Sequence, residues 1–403
     1  MPSSFTWLDY SENERRKMLD AIRLFKDQNT VDELGIGTIR DTFADLFFPG
    51  TGTVQTRARY FFFVPWLYLS IERRRIPSSA VTERARAEEL NLIDVLAQSE
   101  DAEGTIGIQA RRKLKRLPSH IYWQGLGSWG IRLFRGSQDQ YHRSLNAFYK
   151  STQQVQFTDD KEPVGPGLQF NWHPRIPAAP SKFPSQVSLT LTRTEATYLR
   201  ERILSNAPRT MLAFMVDHGE LSEHTEFPWQ HHQLSQFPRY LRDQLEHAQN
   251  FSEVIHGAAL LYNLMLAEAK RDGEWQEVYT ERLQAWAKNI AARRLQLTSW
   301  NRNTFWEIID SGNQRVPYLT RTFVNHWIEL VLSREKPTSV SGNTSARQLI
   351  QERERQLKKA LARLTNQRSL ELWNGEAGAN QLNYRWPGTQ IIISDVLEAL
   401  SNA

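Results

Sequence analysis

Apolar positions recur at helical spacing along most of this chain. Ser11-Glu12-Asn13-Glu14 has the spacing of a capping box, and Met18, Ile22 and Phe25 then share one helical face. Thr192-Arg193-Thr194-Glu195 repeats the box and predicts a helix running to about Leu204. Ser345-Ala346-Arg347-Gln348 is a third box. Behind it Ile350, Leu357, Leu361 and Leu364 form one stripe, which predicts a basic amphipathic helix from Arg347 to Arg368. The stretch from Val254 to Leu266 is apolar on nearly every face and predicts a buried central helix. Leu319, Phe323, Trp327 and Leu330 mark another helix, with Pro317 near its first turn. Strand-like alternation is confined to Gln186 to Thr192 and Gln390 to Ser394. The expected class is mainly α and multi-helical, with few short strands.

Pro163, Pro166, Pro174, Pro177, Pro180 and Pro184 interrupt this pattern. Proline removes a backbone donor and breaks helices, so the segment should be extended. Its aromatics Phe170, Trp172 and Phe183 predict that it packs on the body. The expected organisation is therefore a helical domain over 1–155, a packed linker over 156–190 and a second helical domain over 191–403. A weaker break is expected from Ser333 to Ser345.

One segment concentrates candidate chemistry: "DELGIGTIRDTFADLFFPGTGTVQTRARY", Asp32 to Tyr60. Thr30 and Glu33 have capping-box spacing, but Gly35 and Gly37 limit that helix to about one turn. Thr38 is a candidate cap for the next helix, which carries Ile39, Phe43, Leu46 and Phe47 on one face and stops at Pro49-Gly50. A further helix is expected from Thr53 or Val54, with Arg57 and Arg59 inside it. The glycine–threonine loop between, with Thr51 and Thr53, offers backbone N–H groups and hydroxyls to an anion such as a DNA phosphate. It lacks the Gly-Lys-Ser/Thr of a P-loop, and a tight capped turn between packed helices accounts for the same residues. Asp41 and Asp45 lie four apart on one helical face and are a candidate Mg²⁺ pair; pairing with nearby arginines is the competing reading. The apolar run after Tyr60 predicts a buried helix with a kink near Pro65, ending at Arg73-Arg74-Arg75.

Arg111, Arg112, Lys113, Lys115 and Arg116 sit just before Pro118, with Tyr122, Trp123 and Trp129 beyond it. A helix, a short break and a second segment are compatible with a DNA-binding helical hairpin in which cations meet phosphates and aromatics stack on bases. A solvated basic face over an aromatic core fits equally. His231-His232, Asp217-His218 and His224 lack the spacing of a metal motif. There is no G-x-S-x-G, Walker A, Rossmann or kinase signature.

The net charge of +5 leans basic, which permits an acidic partner without demanding one. The absence of cysteine excludes disulfides, thiolate chemistry and cysteine-bound zinc or iron–sulfur centres. The N-terminus has no apolar signal-peptide core, and the most apolar run, Tyr60 to Ile71, is too short to span a bilayer. A soluble, cytoplasmic protein is expected, with no membrane partner.

"FTWLDYSENERRKMLDAI", the Asp32–Tyr60 segment, "IGIQARRKLKRLPSHIYWQGLGSWGIR" and "LNYRWPG" together resemble an uncharacterised bacterial family over nearly the whole chain. The family has no assigned activity and no defined catalytic residues. Its members resemble components of antiphage defence islands, where phospholipase-D-like nucleases and helicase-like proteins are neighbours. The resemblance implies an accessory or recognition subunit, with such a protein as partner. Three readings follow: a non-catalytic DNA-binding or assembly subunit with no cofactor, a Mg²⁺-dependent nuclease using Asp41 and Asp45, and a protein-only adaptor.

Overall fold

The computed structural model describes residues 32–99, 102–153, 156–157, 163–164, 170–333 and 340–402. The expected box at Ser11, the helix through Phe25, Thr30, part of the proline-rich segment and part of the break before Ser345 lie outside them. The described residues form 15 α-helices. In chain order they are α1 (Gly37–Phe47), α2 (Tyr60–Arg73), α3 (Ser78–Leu96), α4 (Pro118–Ser128), α5 (Gln138–Gln153), α6 (Arg193–Asn206), α7 (Met211–His218) and α8 (Arg239–Lys270), followed by α9 (Gly273–Ala292), α10 (Arg294–Thr298), α11 (Arg302–Asp310), α12 (Tyr318–Leu332), α13 (Thr344–Lys358), α14 (Gln367–Glu371) and α15 (Trp386–Ser401). Among the described residues, strand pairing is limited to β1 (Gln156–Phe157) against β2 (Pro163–Val164) and one isolated bridge, Arg132 to Trp172. The mainly α, multi-helical class is as expected. No helix among the described residues is long and apolar enough to cross a membrane.

The described residues divide into two compact units, one drawn from 32–42 and 244–382, the other from 43–243 and 383–402. The expected boundary at 156–190 is thus not observed, since both its flanks belong to the second unit. Aromatic anchors explain the difference. Trp172 is buried and donates to the Tyr141 hydroxyl at 3.2 Å. Trp66 donates to the Pro177 carbonyl at 2.8 Å, and Phe183 packs against its ring. Residues 170–183 are thus fastened down; of the three aromatics only Phe170 is exposed.

In the first unit the predicted central helix is the apolar part of α8, and Val254, Leu261, Tyr262 and Leu266 are buried. Trp327 of α12 and Trp286 of α9 donate to the α8 carbonyls of Val254 and Glu253, each at 2.8 Å. The start of α1 is not capped by Thr38. Asp32 accepts from the N–H groups of Ile36 and Gly37 at 2.8 and 2.6 Å, which places Thr38 inside the helix. Helix α13 is capped by Asn343 rather than Ser345. It ends at Lys358, not Arg368, because Lys359 turns to a positive φ of 52° and Glu354 captures the next free N–H groups, those of Arg363 and Leu364. The expected leucine stripe is broken there, and Leu357 is 40% exposed.

Several cations of the expected Arg347–Arg368 helix are interior. Arg353 is buried, donating to the carbonyls of Leu34 and Gly35 at 2.8 and 3.2 Å and to the Thr320 hydroxyl at 2.7 Å. Lys358 contacts Glu33, Glu354 and Tyr262, while Arg363 reaches Glu33 at 2.9 Å. The "DELG" of the sequence is therefore an ion-pair anchor within this unit.

In the second unit α2 is buried from Tyr60 to Tyr68, with Pro65 inside it, and α3 and α4 pack on it. Residues 186–192 form no strand: Leu189 and Leu191 are buried, and the Ser188 carbonyl is taken by Arg59 at 2.9 Å rather than by a ladder. Residues 390–394 lie inside α15, not in a strand. Their β-branched side chains continue a buried helical face through Ile392, Ile393 and Val396. The Thr192–Glu195 box is present, opening α6.

Gly50 has φ +83°, and a Cβ there would meet Trp129 Nε1 at 2.5 Å. Gly50→Ala is therefore expected to cost about 2–3 kcal/mol by combining a left-handed backbone with a clash. Denaturant unfolding would measure it, and a loss below about 0.5 kcal/mol would show that the loop relaxes freely.

Candidate nucleic-acid interface

The glycine–threonine loop was the first expected phosphate cradle. Several of its polar groups are already engaged. Gln55 accepts from Gly52 N–H at 3.1 Å and donates to the Gly50 carbonyl at 3.2 Å. Thr51 is buried; its hydroxyl donates to the Phe48 carbonyl at 2.8 Å and accepts from Thr389 at 3.1 Å. Thr53 alone of the two threonines is exposed. No helix begins at Thr53 or Val54, because these bonds hold the chain in turns until α2 opens at Tyr60.

Arg57 and Arg59 consequently precede the helix rather than lying within it. The anion beside them comes from the chain itself. Asp395 of α15 accepts from Ala58 N–H at 2.7 Å and from Arg57 Nε at 2.9 Å, with Arg57 Nη2 at 2.8 Å. Arg59 is 7% exposed and pairs with Glu195 at 2.9 Å. A helix start and two arginines do form an anion site, but an internal carboxylate fills it.

The acidic pair is similarly occupied. Asp41 accepts from Arg40 at 3.0 Å, and Asp45 pairs with Arg385 at 2.6 Å. Among the described residues no group of three or more His, Cys, Asp or Glu is placed to hold a metal ion.

The basic segment is different. Arg111–Lys113 is a single 3-10 turn, not the first helix of a hairpin, because Arg111 adopts a φ of 46° and Lys113 and Leu114 donate back to Ala110 and Arg111. The loop is nevertheless held firmly. Thr56 donates to the Gly104 carbonyl at 2.6 Å, and the Tyr60 hydroxyl accepts from Ile106 N–H at 2.9 Å. Arg86 of α3 donates to the carbonyls of Arg112 and Leu114, both at 3.2 Å. Arg111 lies 3.4 Å from Asp94. Arg112, Lys113, Lys115 and Arg116 are exposed, and among the described residues none of them makes an ion pair. The three aromatics beyond Pro118 are buried and serve the core: Trp129 stacks on Phe61, and Tyr122 packs against Tyr60.

Beside the loop lies a cavity of about 490 Å³ walled by α3 and the starts of α4 and α5. One hydrogen-bonded chain runs behind it. His142 bonds Thr82 at 3.0 Å and Tyr68 at 2.9 Å, and the Gln138 amide donates to Tyr68 and to Ser119 at 2.6 and 2.8 Å. The Ser119 hydroxyl and N–H donate to Glu89 at 2.7 and 2.8 Å. Burial pushes the Glu89 carboxyl up to about 7 despite these bonds, and drives His142 down to about 4. Composition and motifs did not point here. One signal was legible: Glu89 falls on the stripe of Val81, Ala85, Leu92 and Leu96, where an acid is out of pattern.

An acid whose folded pKa is raised stabilises the fold at low pH. That contribution is whole below the unfolded value near 4.5 and is lost as pH rises through 7. Glu89→Gln removes the titration, so the variant should gain stability relative to the parent between about pH 5 and pH 8. Urea unfolding at both pH values measures this; an unchanged difference would sink the assignment.

The site is thus a basic loop on a mainly helical scaffold, with four exposed cations that make no ion pair among the described residues and a lined cavity at its side. The chain belongs to a family of unknown function, DUF6361, whose model matches residues 2–403. No curated protein and no solved structure matches it.

Proposed function

We propose that this protein is a non-catalytic DNA-binding or assembly subunit that meets the phosphate backbone through Arg111, Arg112, Lys113, Lys115 and Arg116. One observation carries the reading: the last four are exposed without an ion pair among the described residues, whereas Arg57 and Arg59 are paired internally. A loop pinned from beneath by Arg86 presents its cations at little entropic cost. An antiphage defence complex, with a phospholipase-D-like nuclease or a helicase-like protein as partner, is the setting that the family resemblance suggests. Its support is the sequence likeness alone.

The test is binding of labelled duplex and single-stranded DNA over a series of salt concentrations. Phosphate contacts release counterions, so log K should fall with log salt by about 0.9 for each duplex phosphate neutralised. Affinity indifferent to salt would overturn the proposal.

A further inference from the structure

We propose that the cavity beside the basic loop binds one nucleotide unit, with the base against Leu117 and Trp123 and the phosphate at a mouth formed by Arg86 and His120. This rests on the reading of the loop as a phosphate track and extends it from backbone to base.

The cavity's size is within the range of small-molecule sites, about 300–1,000 Å³. Its lining is graded. Ala85, Leu117 and Trp123 are buried and apolar, whereas His120 is exposed and Arg86 is half-buried. A flat heterocycle suits the inner part and an anion the outer part.

The charge at the mouth is cationic and close-set. His120 is held below its ordinary value by partial desolvation of its ring and, after that, by Arg116 and Arg86. Neither Arg86 nor Arg116 makes an ion pair among the described residues. Two acids also line the cavity, and each already has a partner: Asp139 is paired with Arg143, and Glu89 is clamped by Ser119.

Arg86 joins the two parts of the site. It lines the cavity while donating to the loop carbonyls of Arg112 and Leu114. A strand tracking the loop phosphates would therefore pass the mouth, and a base at an end or out of the stack could enter. Aromatic stacking and cationic tracking recur together in single-strand recognition. The Thr82–His142–Tyr68–Gln138–Ser119–Glu89 chain fixes the walls before any ligand arrives. The Gln138 Oε1 atom in that wall is buried without a hydrogen-bond partner, so this acceptor has no internal donor.

The same chemistry, a base bearing a phosphate, is offered by a free mononucleotide and by a strand end. Calorimetry would compare the four deoxynucleoside 5′-monophosphates with a 5′-phosphorylated hexanucleotide. Saturable binding of either supports the site; a strand preference of about tenfold or more identifies the strand as the source, and its absence the free nucleotide. Ala85→Phe fills the cavity and His120→Glu adds a negative charge at the mouth. Each should weaken that binding by about tenfold or more, with Ala85→Phe leaving duplex affinity within about twofold. Glu is favourable in the first turn of α4, so His120→Glu decides the matter if Ala85→Phe does not fold. Failure of all five ligands to bind, or binding unchanged in the folded variants, would overturn the proposal. Nucleotide binding without duplex binding would leave the cavity assignment standing and remove the loop reading; salt-dependent duplex binding without nucleotide binding would do the reverse.

Discussion

Glu354→Ala should destabilise the first unit by about 3–5 kcal/mol, the range for removing one partner of a buried ion pair. Glu354 is fully buried at 0% exposure and accepts from the N–H groups of Arg363 and Leu364 at 2.8 and 3.0 Å. It also accepts from the Tyr262 hydroxyl at 2.5 Å and lies 3.4 Å from Lys358. Truncation leaves two backbone donors and a phenol without acceptors, and it removes half of the counter-charge of Lys358. Glu354→Gln keeps one acceptor oxygen and should cost about half as much, since one of the two N–H groups then faces an amide nitrogen. Denaturant unfolding followed by circular dichroism gives both values. A loss below about 1 kcal/mol for the alanine variant would mean that water replaces the carboxylate.

Changing Arg112, Lys113, Lys115 and Arg116 to alanine together should lower duplex affinity by roughly a hundredfold and reduce the salt slope by about three to four. The fold should hardly notice, because the four side chains are exposed and make no ion pair among the described residues; stability should stay within about 1 kcal/mol. Arg59→Gln should do the opposite. It breaks the buried pair with Glu195 and so should lower stability, without touching the exposed loop. Anisotropy titrations and unfolding curves on the same preparations separate the two effects. A quadruple variant that binds DNA like its parent would remove the loop from the proposed function.

The contrast between these arginines explains how much of the site was legible in the sequence. Arg59 and Arg112 are the same residue type, and each has another arginine within two residues. Their difference lies in Glu195, which is remote in the chain from Arg59 and becomes its neighbour only after folding. The same holds for Arg57 and Asp395 and for Asp45 and Arg385. The prediction that the acids of the Asp32–Tyr60 segment pair with arginines was available locally; which arginines, in most cases, was not. The cavity was hidden for a related reason. Its wall draws on three helices, and only the misplaced acid at Glu89 marked it in the pattern of one of them.

The sequence by itself determined the helical class, the Thr192 box, the buried run of α8 and the stop at Pro49-Gly50. These depend on spacing, capping and proline chemistry within a few residues, which the local chain decides. Tertiary structure decided the rest. It turned Gln390 to Ser394 into a buried helix, ended α13 at Lys358 and left both flanks of the proline-rich segment in one compact unit. It also left Arg112, Lys113, Lys115 and Arg116 without an ion pair among the described residues while pairing Arg57 and Arg59. Burial and ion pairing are settled by partners distant in sequence, and their energies exceed the local propensities that they override.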